Sequence, residues 1–266
     1  RPKTLSGASV PVMIGAAMAW HDAMADFQWI AALLCFLFAF VMQINANLIN
    51  DYFDFRHGND DETRLGPRRA CAQGWITLPA MRCGIFFTTL LACLIGLPLI
   101  CFGGWELIWI GVVCVVFCFL YTTFLSYHGW GDVLVLVFFG IIPVSLTYYV
   151  SMPVESQTIP LYVFISSIAC GFVIDTLLIV NNYRDRENDA RAGKRTLVLR
   201  LGTTNSERLY RLLGFVAICC NTVLILVMET SVSIGTRLWS VMALLIVYGG
   251  LHDHAYRRMK AIRQGK

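Results

Sequence analysis

Residues 161–182 read LYVFISSIACGFVIDTLLIVNN, and the chain continues without a break into YRDRENDARAGKR over 183–195. The first stretch has 22 residues with one acidic or basic side chain, Asp175. That is about the length an α-helix needs to cross the hydrocarbon core of a bilayer. The polar run that follows keeps helical order. Asn181, Asp185 and Asp189 stand at i, i+4 and i+8, a single helix face. The reading is a membrane helix that carries an acidic stripe out of the lipid.

The same design occurs earlier. An apolar run over 29–50 leads into NLINDYFDFRHGNDD at 47–61, where Asn47, Asn50, Asp51 and Asp54 share one face at i, i+3, i+4 and i+7. Six more apolar runs stand near 8–20, 83–103, 105–125, 132–150, 210–228 and 238–251, the first and last short. Tight turns such as Gly103-Gly104 and Ser151-Met152-Pro153 join them on one side, and the long polar stretches 51–82 and 183–209 on the other. The two similar polar stretches hint at an internal repeat of a helix pair plus an acidic loop. The expectation is an all-α membrane protein, one transmembrane domain over residues 1–266.

Composition agrees. Of 266 residues, 57% are hydrophobic and only 14% charged, with mean hydropathy +0.64. Soluble domains carry about 25% charged residues. The net charge of +4 reflects topology and does not call for nucleic acid. The ten cysteines form no CxxC pair and mostly lie in apolar runs, so they read as reduced and structural. If residue 1 faces the cytoplasm and the runs alternate, 20 of the 21 Lys and Arg fall inside and only Arg237 outside. That puts both long polar stretches in the cytoplasm. Trp20, Trp29, Trp75 and Trp239 read as interface anchors. His21, His57 and His254 read as loop residues and not as ligands.

Two faces of Asn and Asp at the ends of membrane helices suit a hard cation. Mg²⁺ takes one or two carboxylates and completes its shell with phosphate oxygens and water. The basic residues that follow, Arg64, Arg68 and Arg69, then Lys194 and Arg195, suit a diphosphate. One such cluster alone could equally be a solvated helix end. A second, with the same Asn-x-x-x-Asp element, argues for a site, because polar residues at membrane depth are costly. The carboxylates are expected to face a cavity and to contribute little to packing. Asp175 is either a pocket residue or an interhelical hydrogen-bonding group.

These residues resemble the UbiA superfamily of polyprenyltransferases, and within it the branch acting on 1,4-dihydroxy-2-naphthoate. The matching segments are RPKTL at 1–5, NLINDYFDFRHGND at 47–60, RLGPR at 64–68, GDVLVLVFFG at 131–140 and NNYRDRENDARAGKRTLVLRLG at 181–202. The step of six from Asp54 to Asp60 is specific, since 4-hydroxybenzoate-type members place that acid four residues on, where this chain has Gly58. The resemblance implies a helix bundle around a central cavity, with Mg²⁺, a polyprenyl diphosphate, a dihydroxynaphthoate acceptor and a bacterial inner-membrane setting. It implies metal and diphosphate binding by Asn50, Asp54, Asp60, Asn181, Asp185 and Asp189, with Asp54, Asp185 and Asp189 catalytic. It implies Arg64, Arg68 and Lys194 near the diphosphate. Asp132 matches an acidic position placed near the acceptor. Nine helices are expected against the eight apolar runs read here, so the ninth would be missing or removed. The segment 121–132 holds no Lys or Arg, only His128, so the candidates for the acceptor carboxylate are Lys3, an arginine from 64–69, or His128 when protonated.

In the chemistry so implied, cations stabilise the leaving diphosphate. Aromatic walls shield the allylic cation; Tyr52, Phe53, Tyr121 and Tyr148 are the candidates. The prenyl chain replaces the ring carboxylate as CO₂. One rival is another UbiA-type acceptor such as 4-hydroxybenzoate. A rival of another class is a Mg²⁺ or organic-anion transporter, but its polar breaks would sit at the midplane. The Asp-Gly-x-x-Ala-Arg motif of lipid phosphatidyltransferases does not occur.

Overall fold

The structure, a computed structural model, describes residues 2–58, 69–228 and 232–263, the side chains of residues 2, 3, 228 and 263 excepted. Among the described residues there are eight long helices and no strand. They are α1 Pro2–Asp22, α2 Trp29–Arg56, α3 Leu78–Gly103, α4 Glu106–His128, α5 Gly131–Ser151, α6 Leu161–Arg191, α7 Leu197–Val227 and α8 Ile234–Ile262. The helices α2 to α8 are each long and apolar enough to cross a membrane. The eight match the eight apolar runs, and no ninth lies among the described residues. The first and last helices are longer than their apolar cores, since their polar flanks stay helical.

Local chemistry sets the boundaries. Thr77, Thr196 and Ser233 stand just before α3, α7 and α8, and each side-chain oxygen accepts a backbone N–H of the first turn, from Ala80, Leu199 and Thr236. Gly104 turns the chain from α3 into α4 at φ +86°, a left-handed conformation that glycine reaches without strain. Gly202, at φ +73°, kinks α7 near its start.

The helices pair in a repeated order. Helix α1 packs on α5, α2 on α3, and α6 on α7. The halves α1–α4 and α5–α8 each open with a helix that starts at one end of the bundle. A long helix then returns to that end carrying an acidic motif. Close approach binds α5 to α6. A Cβ on Gly140 would lie 2.6 Å from the Cα of Gly171 and 2.6 Å from the Ser167 carbonyl oxygen. Wide π-type turns interrupt α4 at Tyr121–Leu125 and α5 at Val137–Ile141. Such turns re-aim side chains at functional sites, and the first sits where α4 reaches the polar end.

The opposite end is tied separately. The Tyr148 hydroxyl donates to Asp22 Oδ2 at 2.7 Å, and Tyr162 donates to the same oxygen. Trp20, Trp29, Trp75 and Trp239 are exposed near helix ends, as interface anchors should be. His21 and His254 lie on helices, not in loops, because the helical ends run on past the apolar cores.

Candidate active site

The polar end of the bundle encloses a cavity of about 540 Å³. Helix α2 contributes Asn50 and Asp54, and α6 contributes Asn181, Asp185 and Asp189. Asp132 enters from the first turn of α5 and Lys194 from the segment joining α6 to α7. The two acidic faces meet across one space. Both motifs lie on helices: α2 runs to Arg56 and α6 to Arg191, so only residues 192–196 of the second polar stretch connect helices.

The carboxylates come with cations. Asp54 is buried, and its Oδ2 accepts from Arg69 Nη2 at 2.7 Å. Its other oxygen lies 3.3 Å from Lys194 Nζ, which is also 3.7 Å from Asp189. Arg184 clamps its sequence neighbour Asp185 with two donors, both at 2.7 Å. Burial lowers the Arg69 guanidinium from its ordinary value, and Asp54, Asp51 and Asp185 oppose the fall. Lys194 also lies 5.3 Å from the centre of the Tyr127 ring.

Neighbouring polar groups fix the scaffold. Asp51 accepts the backbone N–H groups of Ala70 at 2.9 Å and Cys71 at 3.4 Å, so it holds the chain that follows residue 68. Asn47 donates to Thr4 at 2.9 Å and locks α1 to α2. Thr122, on the wide turn of α4, donates to Asn50. The sequence face of four therefore divides: Asn50 and Asp54 line the cavity, and Asn47 and Asp51 build its walls.

A second cavity of about 640 Å³ lies beneath the first, walled mainly by apolar side chains of α1 to α6. Thr4, Asn50, Tyr121, Leu177 and Asn181 line both cavities, so the polar space opens into the apolar one. The arrangement offers a charged head a polar mouth and a hydrocarbon tail a greasy channel.

Of the residues expected from the sequence, Asn50, Asp54, Asn181, Asp185, Asp189, Lys194 and Asp132 are brought together here. Asp60, Arg64, Arg68 and the Lys3 side chain lie outside the described residues. His128 is not among the lining residues. Its Nδ1 pairs with the Phe124 carbonyl at 2.8 Å, and its own carbonyl accepts from Arg200 at 2.7 Å. Of the four aromatic candidates only Tyr121 lines the cavities. Tyr148 is held at the far end by Asp22, and Tyr52 packs with Ile49, Cys71 and Met81. Asp175 is buried in α6, and its Oδ1 has no hydrogen-bond partner. The carboxylates do more structural work than expected, because Asp54 neutralises two cations. The pairing of Arg184 with Asp185 was open to reading in their adjacency, and the roles of Thr4 and Thr122 had no signal at all.

Among the described residues no three Asp, Glu, His or Cys side chains converge as a metal cage. A Mg²⁺–diphosphate site does not need one. The cavity's donors Asn50, Asp54, Asn181, Asp185 and Asp189 offer oxygens on two opposing helices, and substrate oxygens complete such a shell. The donor set fits Mg²⁺.

Comparison with known proteins finds a family and relatives within it. The profile of the UbiA prenyltransferase family matches residues 8–265. A 1,4-dihydroxy-2-naphthoate octaprenyltransferase of Escherichia coli (strain K12) is 34% identical over 231 residues, 83% of this chain and 72% of that protein. A protein of the same description from Mycobacterium tuberculosis is 33% identical over 234 residues, 86% of this chain and 77% of that protein. The mouse UbiA prenyltransferase domain-containing protein 1 is 29% identical over 233 residues, 84% of this chain and 66% of that protein.

Proposed function

The chain belongs to the UbiA prenyltransferase family, and from that premise we propose that it transfers a polyprenyl group from polyprenyl diphosphate to 1,4-dihydroxy-2-naphthoate, releasing diphosphate and CO₂. The observation that carries this reading is the junction of the two cavities at Asn50, Tyr121 and Asn181. The diphosphate lies in the polar cavity and the polyprenyl tail in the apolar one, so the allylic carbon comes to the junction. The identity to dihydroxynaphthoate octaprenyltransferases supports the acceptor. The polar end faces the cytoplasm of a bacterial plasma membrane, in keeping with the distribution of Lys and Arg.

Asn50, Asp54, Asn181, Asp185 and Asp189 would hold Mg²⁺, whose positive charge would stabilise the departing diphosphate. Lys194 and Arg69 sit beside Asp54 and add cationic donors at that end. Tyr121 presents a ring to the junction, where an allylic cation gains from an aromatic face. The apolar cavity beneath excludes water that would otherwise capture the cation. The ring carbon bearing the carboxylate forms the new C–C bond. The C–CO₂⁻ electron pair returns to the ring as CO₂ leaves, so no net proton is exchanged at the ring.

The test is purified protein with a polyprenyl diphosphate, carboxyl-labelled dihydroxynaphthoate and Mg²⁺. The expected result is a prenylated product without label and labelled CO₂. Turnover of 4-hydroxybenzoate with none of dihydroxynaphthoate would overturn the acceptor, and label kept in the product would overturn the decarboxylation.

A further inference from the structure

One polar side chain of the apolar cavity is not used by the chemistry above. Gln43 on α2 lines that cavity, is 8% exposed, and its side-chain oxygen has no hydrogen-bond partner. An unsatisfied buried amide costs about 1–3 kcal/mol, so its place in an apolar wall calls for a ligand group.

The helix register supplies a second observation. The Asn47–Thr4 hydrogen bond aligns α2 with the antiparallel α1. One turn farther from the polar end, α2 presents Gln43 and α1 presents Gly7 and Ala8. Pro11 lies inside α1 and has no N–H, so the Gly7 carbonyl loses the donor that the fourth residue on ordinarily gives it. Gly7 and Pro11 line the same cavity, and a Cβ on Gly7 would meet nothing within 4 Å. Two residues with a hydrogen-bond acceptor lacking its ordinary partner thus line one cavity on adjoining helices.

Two acceptors in an apolar wall need a neutral donor. A polyprenyl chain has none, and a diphosphate or carboxylate would bury a charge with no cation at that level. Of the reactants only the aromatic acceptor carries hydroxyl groups. We propose that Gln43 and the Gly7 carbonyl bind the hydroxyl of the acceptor that lies farthest from its carboxylate, making Gln43 a specificity-determining residue. This rests on the acceptor class proposed above. Gln43 lies about 10 Å along the helix axis below Asn50, seven residues at 1.5 Å each. The ring then stands at the junction with its carboxylate edge toward the polar cavity and its far hydroxyl toward Gln43.

The experiment is a cycle of two enzymes and two acceptors. Wild type and Gln43→Leu are each assayed with 1,4-dihydroxy-2-naphthoate and with 1-hydroxy-2-naphthoate, which lacks the far hydroxyl. Electronic activation of the ring by that hydroxyl is common to both enzymes and cancels. The expected result is a fall of about tenfold in the dihydroxy-to-monohydroxy selectivity of the variant. An equal ratio in both enzymes overturns the proposal. If Gln43→Leu does not fold, Gln43→Met, of similar shape and without the amide, replaces it. If wild type uses neither naphthoate, the acceptor class fails instead. The cycle is then run on equilibrium binding of 4-hydroxybenzoate against benzoate to the purified proteins, where an unchanged ratio again overturns the role of Gln43.

Discussion

Replacing Asp54 by Asn keeps the shape of the side chain and removes its charge. Arg69, 5% exposed and 2.7 Å from Asp54, is then a buried guanidinium without its closest counter-ion. Breaking a buried pair by removing one partner costs roughly 3–5 kcal/mol. Asp51 and Asp185 also act on Arg69 and offset part of this, so a net loss of about 3 kcal/mol is expected. At roughly 2–4 °C per kcal/mol for a chain of this size, Tm falls by roughly 6–12 °C. Thermal unfolding in detergent, followed by tryptophan fluorescence, reads the shift, and a prenyl-transfer assay at low temperature reads the loss of turnover. The double variant Asp54→Asn with Arg69→Gln should recover part of the stability, because the uncompensated cation is gone. A Tm within about 2 °C of wild type, or a double variant whose losses simply add, would refute the reasoning.

Exhaustive EDTA treatment should abolish turnover and Mg²⁺ should restore it; full activity after chelation removes the metal from the account. Asp185→Ala should also abolish turnover, since Arg184 loses its bidentate partner, and near-wild-type rates would show that the second acidic face is not part of the site. Gly140→Ala should destabilise the protein by about 1–3 kcal/mol, because the new methyl group meets the backbone of Gly171 and Ser167, which cannot give; an unchanged Tm speaks against that contact. A cysteine at His57, read with an impermeant thiol reagent, should label only from the cytoplasmic face, and labelling from the opposite face would invert the topology.

The sequence made the helices legible because apolar runs near 20 residues admit few other readings. It made the two acidic faces legible because Asn50 with Asp54, and Asn181 with Asp185 and Asp189, keep the helical period. It was less informative where contacts join distant parts of the chain. Lys194 reaches Asp54 across 140 residues, and no local spacing announces that. Tyr148 is one of four aromatic candidates for the walls of the reactive centre, named for its ring. One helix length carries it to the far end, where Asp22 and Tyr162 hold it. Gln43 continues the stripe of Asn47 and Asn50 one turn deeper, yet in the sequence it sits inside an apolar run that hides it.

The partners of Asp54 differ sharply in when they are made. Arg69 follows it by 15 residues and Lys194 by 140. A chain is synthesised from its N-terminus and its parts fold in that order. Arg69 therefore emerges soon after α2 and can neutralise Asp54 while α6 does not yet exist. Arg184 emerges beside Asp185 and does the same for the second helix. Asp54 and Asp185 each have a cation from their own half of the chain, and Lys194 closes the bond between halves only when the last helices are being delivered. Moving Arg69 beyond reach would expose Asp54 during insertion and lower the yield of inserted protein before any turnover is measured.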